Sequence, residues 1–257
     1  MTNLVPAIWV ELFKARRSKV PLLTALGFLL VPIVGGLFMI ILKDPEFARQ
    51  VGLISAKAQL MAGVADWPTY LGLLAQAIAI GGLILFSLIG SWVFGREFSD
   101  RTVKDLLALP TSRSAIVSAK FIVIALWSAA LIVMITLVGL VIGLAVTLPE
   151  VPRAVILQGG LTLAVTAVLT IASITPIIFF ASAGHGYLPP MGVAILAIFL
   201  AQIIAIAGWG EFFPWSIPAL YSQGENLKSI SYLIVIVTAL AGMAATFIWW
   251  EMADQNH

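Results

Sequence analysis

Six long apolar stretches alternate with short polar connections along the chain, at approximately residues 21–42, 69–94, 116–148, 154–183, 187–209 and 229–250. A bilayer core about 30 Å thick needs roughly 20 apolar residues as helix, so each stretch predicts a membrane span. The expectation is an all-α membrane protein, one transmembrane domain over 1–257 with six spans between 21 and 250. The first run is too long for a signal-peptide core and no small-residue cleavage site follows it directly, so it should persist as a helix. The third, at about 1.5 Å per residue, would extend about 50 Å. It must tilt or extend into the cytoplasm, and its first turns, near Ser114–Lys120, are expected to protrude.

Two charged segments interrupt this pattern. "VPAIWVELFKARRSK" places Val5, Ile8, Trp9, Leu12 and Phe13 on one helical stripe, with Glu11, Lys14 and Arg17 to the side and back. Such a helix, within residues 1–19, should lie in the membrane interface with its cations among anionic lipid headgroups; a simple topogenic anchor is the alternative. "FGREFSDRTVKDLLALPTSR", residues 94–113, gathers seven of the chain's 26 charged residues. Glu97–Arg101 and Asp100–Lys104 are acid-first pairs four apart, and Arg96–Asp100 and Arg101–Asp105 add two more, each worth roughly 0.2–0.5 kcal/mol on an isolated helix. Ser99 or Asp100 can cap a helix, Val103, Leu106, Leu107 and Leu109 give it an apolar flank, and Pro110 stops it. A solvated loop helix is the default for such a charge run, but water does not require leucines. A partner would use both faces, leucines in a groove and charges for register.

Composition agrees with a membrane protein: 61% of residues are hydrophobic and 10% charged, far from the balance of a soluble domain. Charge location sets the orientation. With both termini inside, nine Lys and Arg (Lys14, Arg16, Arg17, Lys19, Arg96, Arg101, Lys104, Arg113 and Lys120) are cytoplasmic and five are outside, while acidic residues divide equally. Positive residues are retained in the cytoplasm, which predicts an inner-membrane protein with N- and C-termini cytoplasmic. Six tryptophans fall near span ends; Trp127 does not. A net charge of +2 gives no reason to expect nucleic acid.

The spans contain no Asp, Glu, Lys or Arg away from their ends, which disfavours a proton- or ion-driven transporter. Hydroxyls and amides do occur there. Most should join helices, but Gln76, Thr136, Thr166, Thr170 and Gln202 are candidates to line the route of an amphiphile. Gly139 and Gly143 form a G-x-x-x-G, a common match in apolar helices. Pro32 and Pro176 should kink spans one and four. There is no cysteine, no H-E-x-x-H and no second histidine near His185, so no catalytic residue, metal site or cofactor is expected in this chain. No G-x-x-x-x-G-K-[ST] is present either, so any ATP must be handled by another polypeptide.

At the charged segment a family resemblance appears. "GREFSDRTVKDLLALPTSRSAIVSAKF" resembles the R-E-x-x-x-x-T-x-x-x-L-L-x-x-P-x-S-R segment of ABC type-2 transporter permeases, matching at Arg96, Glu97, Thr102, Leu106, Leu107, Pro110, Ser112 and Arg113. "WVELFKARRSK" is similar to that family's N-terminal elbow helix. The resemblance implies a cytoplasmic coupling helix in the 95–113 loop that fits a cleft in a separate ABC ATPase, which binds the ATP and Mg. It also implies a second permease subunit, as homodimer or heterodimer. Coupling to the ATPase would fall to Arg96, Glu97, Arg101, Thr102, Leu106, Leu107 and Arg113; Arg101 departs from the family's usual Gly before Thr. The implied function is export of an amphiphile such as a peptide antibiotic, drug or lipid. The alternative is a non-transporting scaffold or sensor that anchors an ATPase. "GWGEFFPWSIPALYSQGENLK" is similar to a region often re-entrant at the outer leaflet, an ordinary extracellular loop being the alternative. The 43–68 segment could hold a short helix from Gly52 to Gly63.

Overall fold

The computed structural model describes residues 4–44, 64–107 and 110–252, apart from the side chains of Lys104 and Leu107. The helix expected at Gly52–Gly63, and the contributions of Leu107, Leu109 and Lys104 to the charged segment, lie outside the described residues. The described residues are helical throughout their regular structure. Helix α1 (Leu4–Arg17) precedes α2 (Val20–Lys43), α3 (Trp67–Ser99), the short α4 (Val103–Leu107), α5 (Arg113–Ala145), α6 (Arg153–Ser173), α7 (Thr175–Ala183), α8 (Leu188–Ile206), α9 (Ile217–Ser222) and α10 (Ser229–Met252). Six spans are long and apolar enough to cross a membrane: α2, α3, α5, α6 with α7, α8 and α10.

Helix α3 is the central element. It packs on α2, α5, α6, α7 and α8, and many of its side chains, from Trp67 and Tyr70 to Phe86, Phe94 and Glu97, are buried. Small residues permit this. A Cβ at Gly139 would come 2.6 Å from Leu74, and one at Gly143 would come 2.5 Å from Trp67, so the G-x-x-x-G of α5 receives side chains of α3 rather than another backbone. Leu71 fills the space at Gly159 of α6 and Ile178 of α7 that at Gly90. Both contacts have the same sequence offset, so α3 runs parallel and in register with α6 and α7. Trp127, the tryptophan inside a span, is accommodated: its indole donates to Thr24 Oγ1 at 3.2 Å and packs edge-on against Trp92.

The fourth span is broken at Ile174, one residue before α7. Pro176 has no N–H, so the carbonyl of Ala172 lacks its usual helical donor. The Thr175 hydroxyl lies 3.0 Å from that oxygen and 2.9 Å from Ala239 O of α10. Gly242 of α10 presses directly against the Thr175–Pro176 backbone. On the other side of the break, Trp215 Nε1 donates to Ser173 O at 2.9 Å, and Ser173 Oγ lies 3.2 Å from Pro214 O. The connection between α8 and α10 thus folds back along α6 as far as Ser173, about 30 Å of helix from Arg153 at 1.5 Å per residue. Ile217, at the start of α9, is fully buried against Leu169 and Val235.

Candidate functional site: a buried charge cluster

The charged segment departs from the single amphipathic helix that its charge order predicts. Residues 94–99 are the last turns of α3, which ends in a Schellman motif: Thr102 N–H bonds Glu97 O at 2.9 Å and Arg101 N–H bonds Phe98 O at 3.2 Å. Arg101 is the left-handed residue of that motif, with φ +57°. This is where glycine is the usual choice, which accounts for Gly in the Gly-Thr pattern; Arg101 departs from it and holds the same left-handed backbone. The helix start is consequently Thr102, whose carbonyl accepts from Leu106 N–H at 3.0 Å, and not Ser99 or Asp100. Helix α4 is five residues long and ends before Pro110. Ser112 caps α5, its hydroxyl accepting from Ala115 N–H at 3.3 Å.

Because the chain turns at Asp100, Glu97 points into the protein and does not pair with Arg101. It is 4% exposed. Its Oε1 accepts from Lys120 Nζ at 2.9 Å and Lys14 Nζ at 3.0 Å. Glu11 completes the group, 2.6 Å from Lys14 and 3.4 Å from Lys120. Two carboxylates and two ammonium groups therefore form a neutral cluster that joins α1, the end of α3 and the third turn of α5. Lys120 is fully buried; it also donates to Val93 O at 2.6 Å and lies 5.6 Å from the centre of the Phe94 ring. Burial pushes the Lys14 ammonium pKa down, but Glu11 and Glu97 outweigh it and hold the group above its ordinary value. Sequence spacing could not reveal these partners, which are distant in the chain. The available signals were Glu97 in a last helical turn, where the macrodipole disfavours an acid, and Lys120 inside an otherwise apolar run.

Burial adds two details. The first turns of α5 are covered: Ile116, Val117, Ala119 and Lys120 are buried, packed under α1. Glu11, to the side and back of the apolar stripe as its position on α1 predicts, faces this packing. The expected apolar stripe does stand outward, with Val5 75% and Trp9 66% exposed.

Of the other segment residues, Arg96 bonds Asp100 at 3.3 Å as its spacing predicts and lies over the Trp92 ring. Arg101 and Thr102 are exposed, and Leu106 is half-buried. Leu106 lines a small cleft of about 90 Å³ with Pro6, Ala7 and Val10 of α1. Arg113 donates to Trp250 O and Glu251 O at 3.1 and 2.8 Å, so it caps the end of α10. Nearby, His185 packs against Phe98 and Trp249. The charged segment is thus fixed to the N-terminal helix on one side and to the last helix on the other.

The candidate path residues are dispersed. Thr166 and Thr170 are fully buried on one face of α6, with Thr170 Oγ1 donating to Thr166 O at 2.8 Å. Thr136 is half-buried and bonds Ile132 O of its own helix. Gln76 is half-buried, and Gln202 stands on the exposed face of α8.

Six candidate spans, of which α3 is the central one, and a charged turn between the second and third that is tied to the N-terminal helix make this a polytopic membrane subunit. The chain belongs to the ABC-2 family transporter proteins, whose pattern matches residues 7–201. It is 25% identical over 177 residues to the bacitracin transport permease protein BCRB of Bacillus licheniformis, an alignment that covers 67% of this chain and 85% of that one. No solved structure matches it. It is an ABC transporter permease, the non-catalytic transmembrane subunit, and family membership implies association with an ABC ATPase. Membrane subunits of this family typically lack cofactors.

Proposed function

We propose that the chain is the permease of an ABC exporter that moves an amphiphile, such as a peptide antibiotic, drug or lipid, using ATP and Mg bound by a separate cytoplasmic ATPase. Two permease subunits, identical or different, pair in the inner membrane with both termini cytoplasmic, and α1 lies as an elbow in the interface. The 95–113 loop is the coupling element. Arg101 and Thr102, exposed at the turn, contact the ATPase together with Leu107; Arg96, Leu106 and Arg113 hold the loop's geometry. Glu97 acts from inside, passing displacement of the turn to Lys120 of the third span and Lys14 of the elbow. The residues proposed for the cargo path are Gln76 of α3, Thr136 of α5, Thr166 and Thr170 of α6 and Gln202 of α8, which do not share one face.

The observation that carries this reading is the Glu11–Lys14–Glu97–Lys120 cluster. A loop that only faced water would need no buried ion pairs behind it. Burying four charges is costly unless each is compensated, and here the compensation ties the turn to two helices at once. The name of the bacitracin transport relative supports a peptide-antibiotic cargo. The test is ATP-dependent accumulation of bacitracin in inside-out vesicles containing this chain and a co-expressed ABC ATPase. Accumulation above that of vesicles with ATPase alone is expected. ATPase recruitment without accumulation would favour a scaffold or sensor, and uptake driven by a proton or sodium gradient without ATP would overturn the mechanism.

A further inference from the structure

We propose that the turn between α7 and α8 is a second arm of the coupling device, with His185 as its positioning residue, and that it carries displacement of the charged turn to spans four and five. The proposal rests on the reading of the 95–113 loop as the coupling element. Helix α7 ends in a Schellman motif: Gly186 N–H bonds Ala181 O and His185 N–H bonds Ser182 O, each at 3.2 Å. His185 is its left-handed residue, with φ +53°. Glycine holds that conformation without steric cost, and the chain has glycine on both sides. Yet Gly184, at φ −92°, and Gly186 do not take it. The strain falls on the one residue of the three that has a side chain, and such strain persists only where the surroundings fix it. Here the surroundings are two rings. His185 is exposed, but its imidazole lies edge-on 5.2 Å from Phe98 and 5.8 Å from Trp249, which are 5.5 Å from each other. Phe98 belongs to the charged turn, since its carbonyl accepts the Arg101 N–H that closes it.

The backbone behind the ring is held more stiffly. A Cβ at Gly95 would come 3.1 Å from the carbonyl carbon and oxygen of Gly186, so α3 and the turn meet with no side chain between them. One helical turn earlier, Ser91 Oγ donates to Tyr187 O at 3.1 Å. A side chain can yield by changing rotamer, which a backbone contact cannot. Gly184 in turn abuts Pro189 in the first turn of α8, and only four residues separate the end of α7 at Ala183 from the start of α8 at Leu188. The end of α3 thus has two outputs. Glu97 leads through ion pairs to α1 and α5, while Gly95 and Phe98 lead through the turn to α7 and α8.

The chain has no cysteine, so L188C supplies a single thiol at the start of α8, where the native Leu188 is 85% exposed. The full chain and its co-expressed ABC ATPase, in inside-out vesicles, are labelled with a maleimide in the absence of nucleotide and with ATP and vanadate. The rate of labelling on this chain should differ several-fold between the two states. H185G, which removes the ring and relieves the backbone, should erase most of that difference and lower the bacitracin accumulated per ATP hydrolysed several-fold. H185F, which restores a ring to the same contacts, should recover both, a rescue that separates positioning from a general loss of folding. Equal labelling in the two states with His185 in place, a difference that survives H185G, or H185F behaving as H185G overturns the proposal. The export reading fails separately, by absence of ATP-driven uptake in the native chain, whereas labelling of L188C reads the second arm whatever the cargo.

Discussion

Removing the Glu97 charge leaves a fully buried lysine short of its closest acid. Glu97 makes two ion pairs, at 2.9 Å to Lys120 and 3.0 Å to Lys14, each worth about 6 kcal/mol before solvation at an effective dielectric of about 20. Desolvation opposes most of that attraction, and truncating one partner of a buried pair typically costs about 3–5 kcal/mol. Glu97→Gln should therefore destabilise by about that amount, because Lys120 keeps only Glu11 at 3.4 Å and the Val93 carbonyl. Lys120→Met should cost less, since Glu97 retains Lys14, which is nearer solvent. The double variant E97Q/K120M returns the cluster to neutrality with Glu11–Lys14 intact at 2.6 Å. It should be more stable than the sum of the single effects by about 2–3 kcal/mol. The assay is unfolding of the purified chain in mild detergent, followed by near-ultraviolet circular dichroism across denaturant. Additive single effects would refute the reasoning, because independent charges do not form a cluster.

Three further outcomes are expected. Arg101→Gly should relieve the left-handed residue at φ +57° and stabilise by about 1 kcal/mol, measured by the same unfolding assay; if Arg101 also contacts the ATPase, ATP-dependent uptake should fall while stability rises. Gly143→Leu should overpack the Trp67 contact and destabilise by about 1–3 kcal/mol, an effect that W67A should partly rescue. Lys14 has a raised pKa caused by Glu11 and Glu97 overcoming burial, so its contribution is fully present below the unfolded value of 10.5 and is lost as pH rises through the higher folded value. The stability difference between the wild type and K14M should be flat from pH 7 to 10 and shrink only above that, as read by denaturant titration at each pH.

The six spans were legible because each is a long apolar run, and their ends differ from the sequence reading mainly where charged residues continue a helix. Apolar periodicity stops being informative at Arg96, yet the α3 backbone continues through Ser99 because Glu97 finds its partners in other helices. The stripe of α1 was legible for the same reason in reverse, since Val5, Trp9 and Phe13 recur at helical spacing. Glu11 on the opposite face gave no sign of burial. Pro176 marked the kink, but the Ala172 carbonyl it frees is met by Thr175 and the adjoining Ser173 carbonyl by Trp215, the latter a pairing that depends on how the 210–222 connection folds back. Arg101 was visible as an irregularity in the motif. The left-handed helix end that the position adopts is a backbone property that residue type alone does not disclose.

The most direct measurement compares ATP-driven bacitracin uptake by inside-out vesicles holding the native chain and its ATPase with uptake when residues 100–111 are replaced by a glycine-serine tether of equal length. Glu97, Lys120 and the spans are retained in both. Loss of uptake with ATP still hydrolysed is the expected result, since the tether has no turn through which to displace the cluster. Uptake at the native rate would contradict the claim that force enters the membrane domain through this loop.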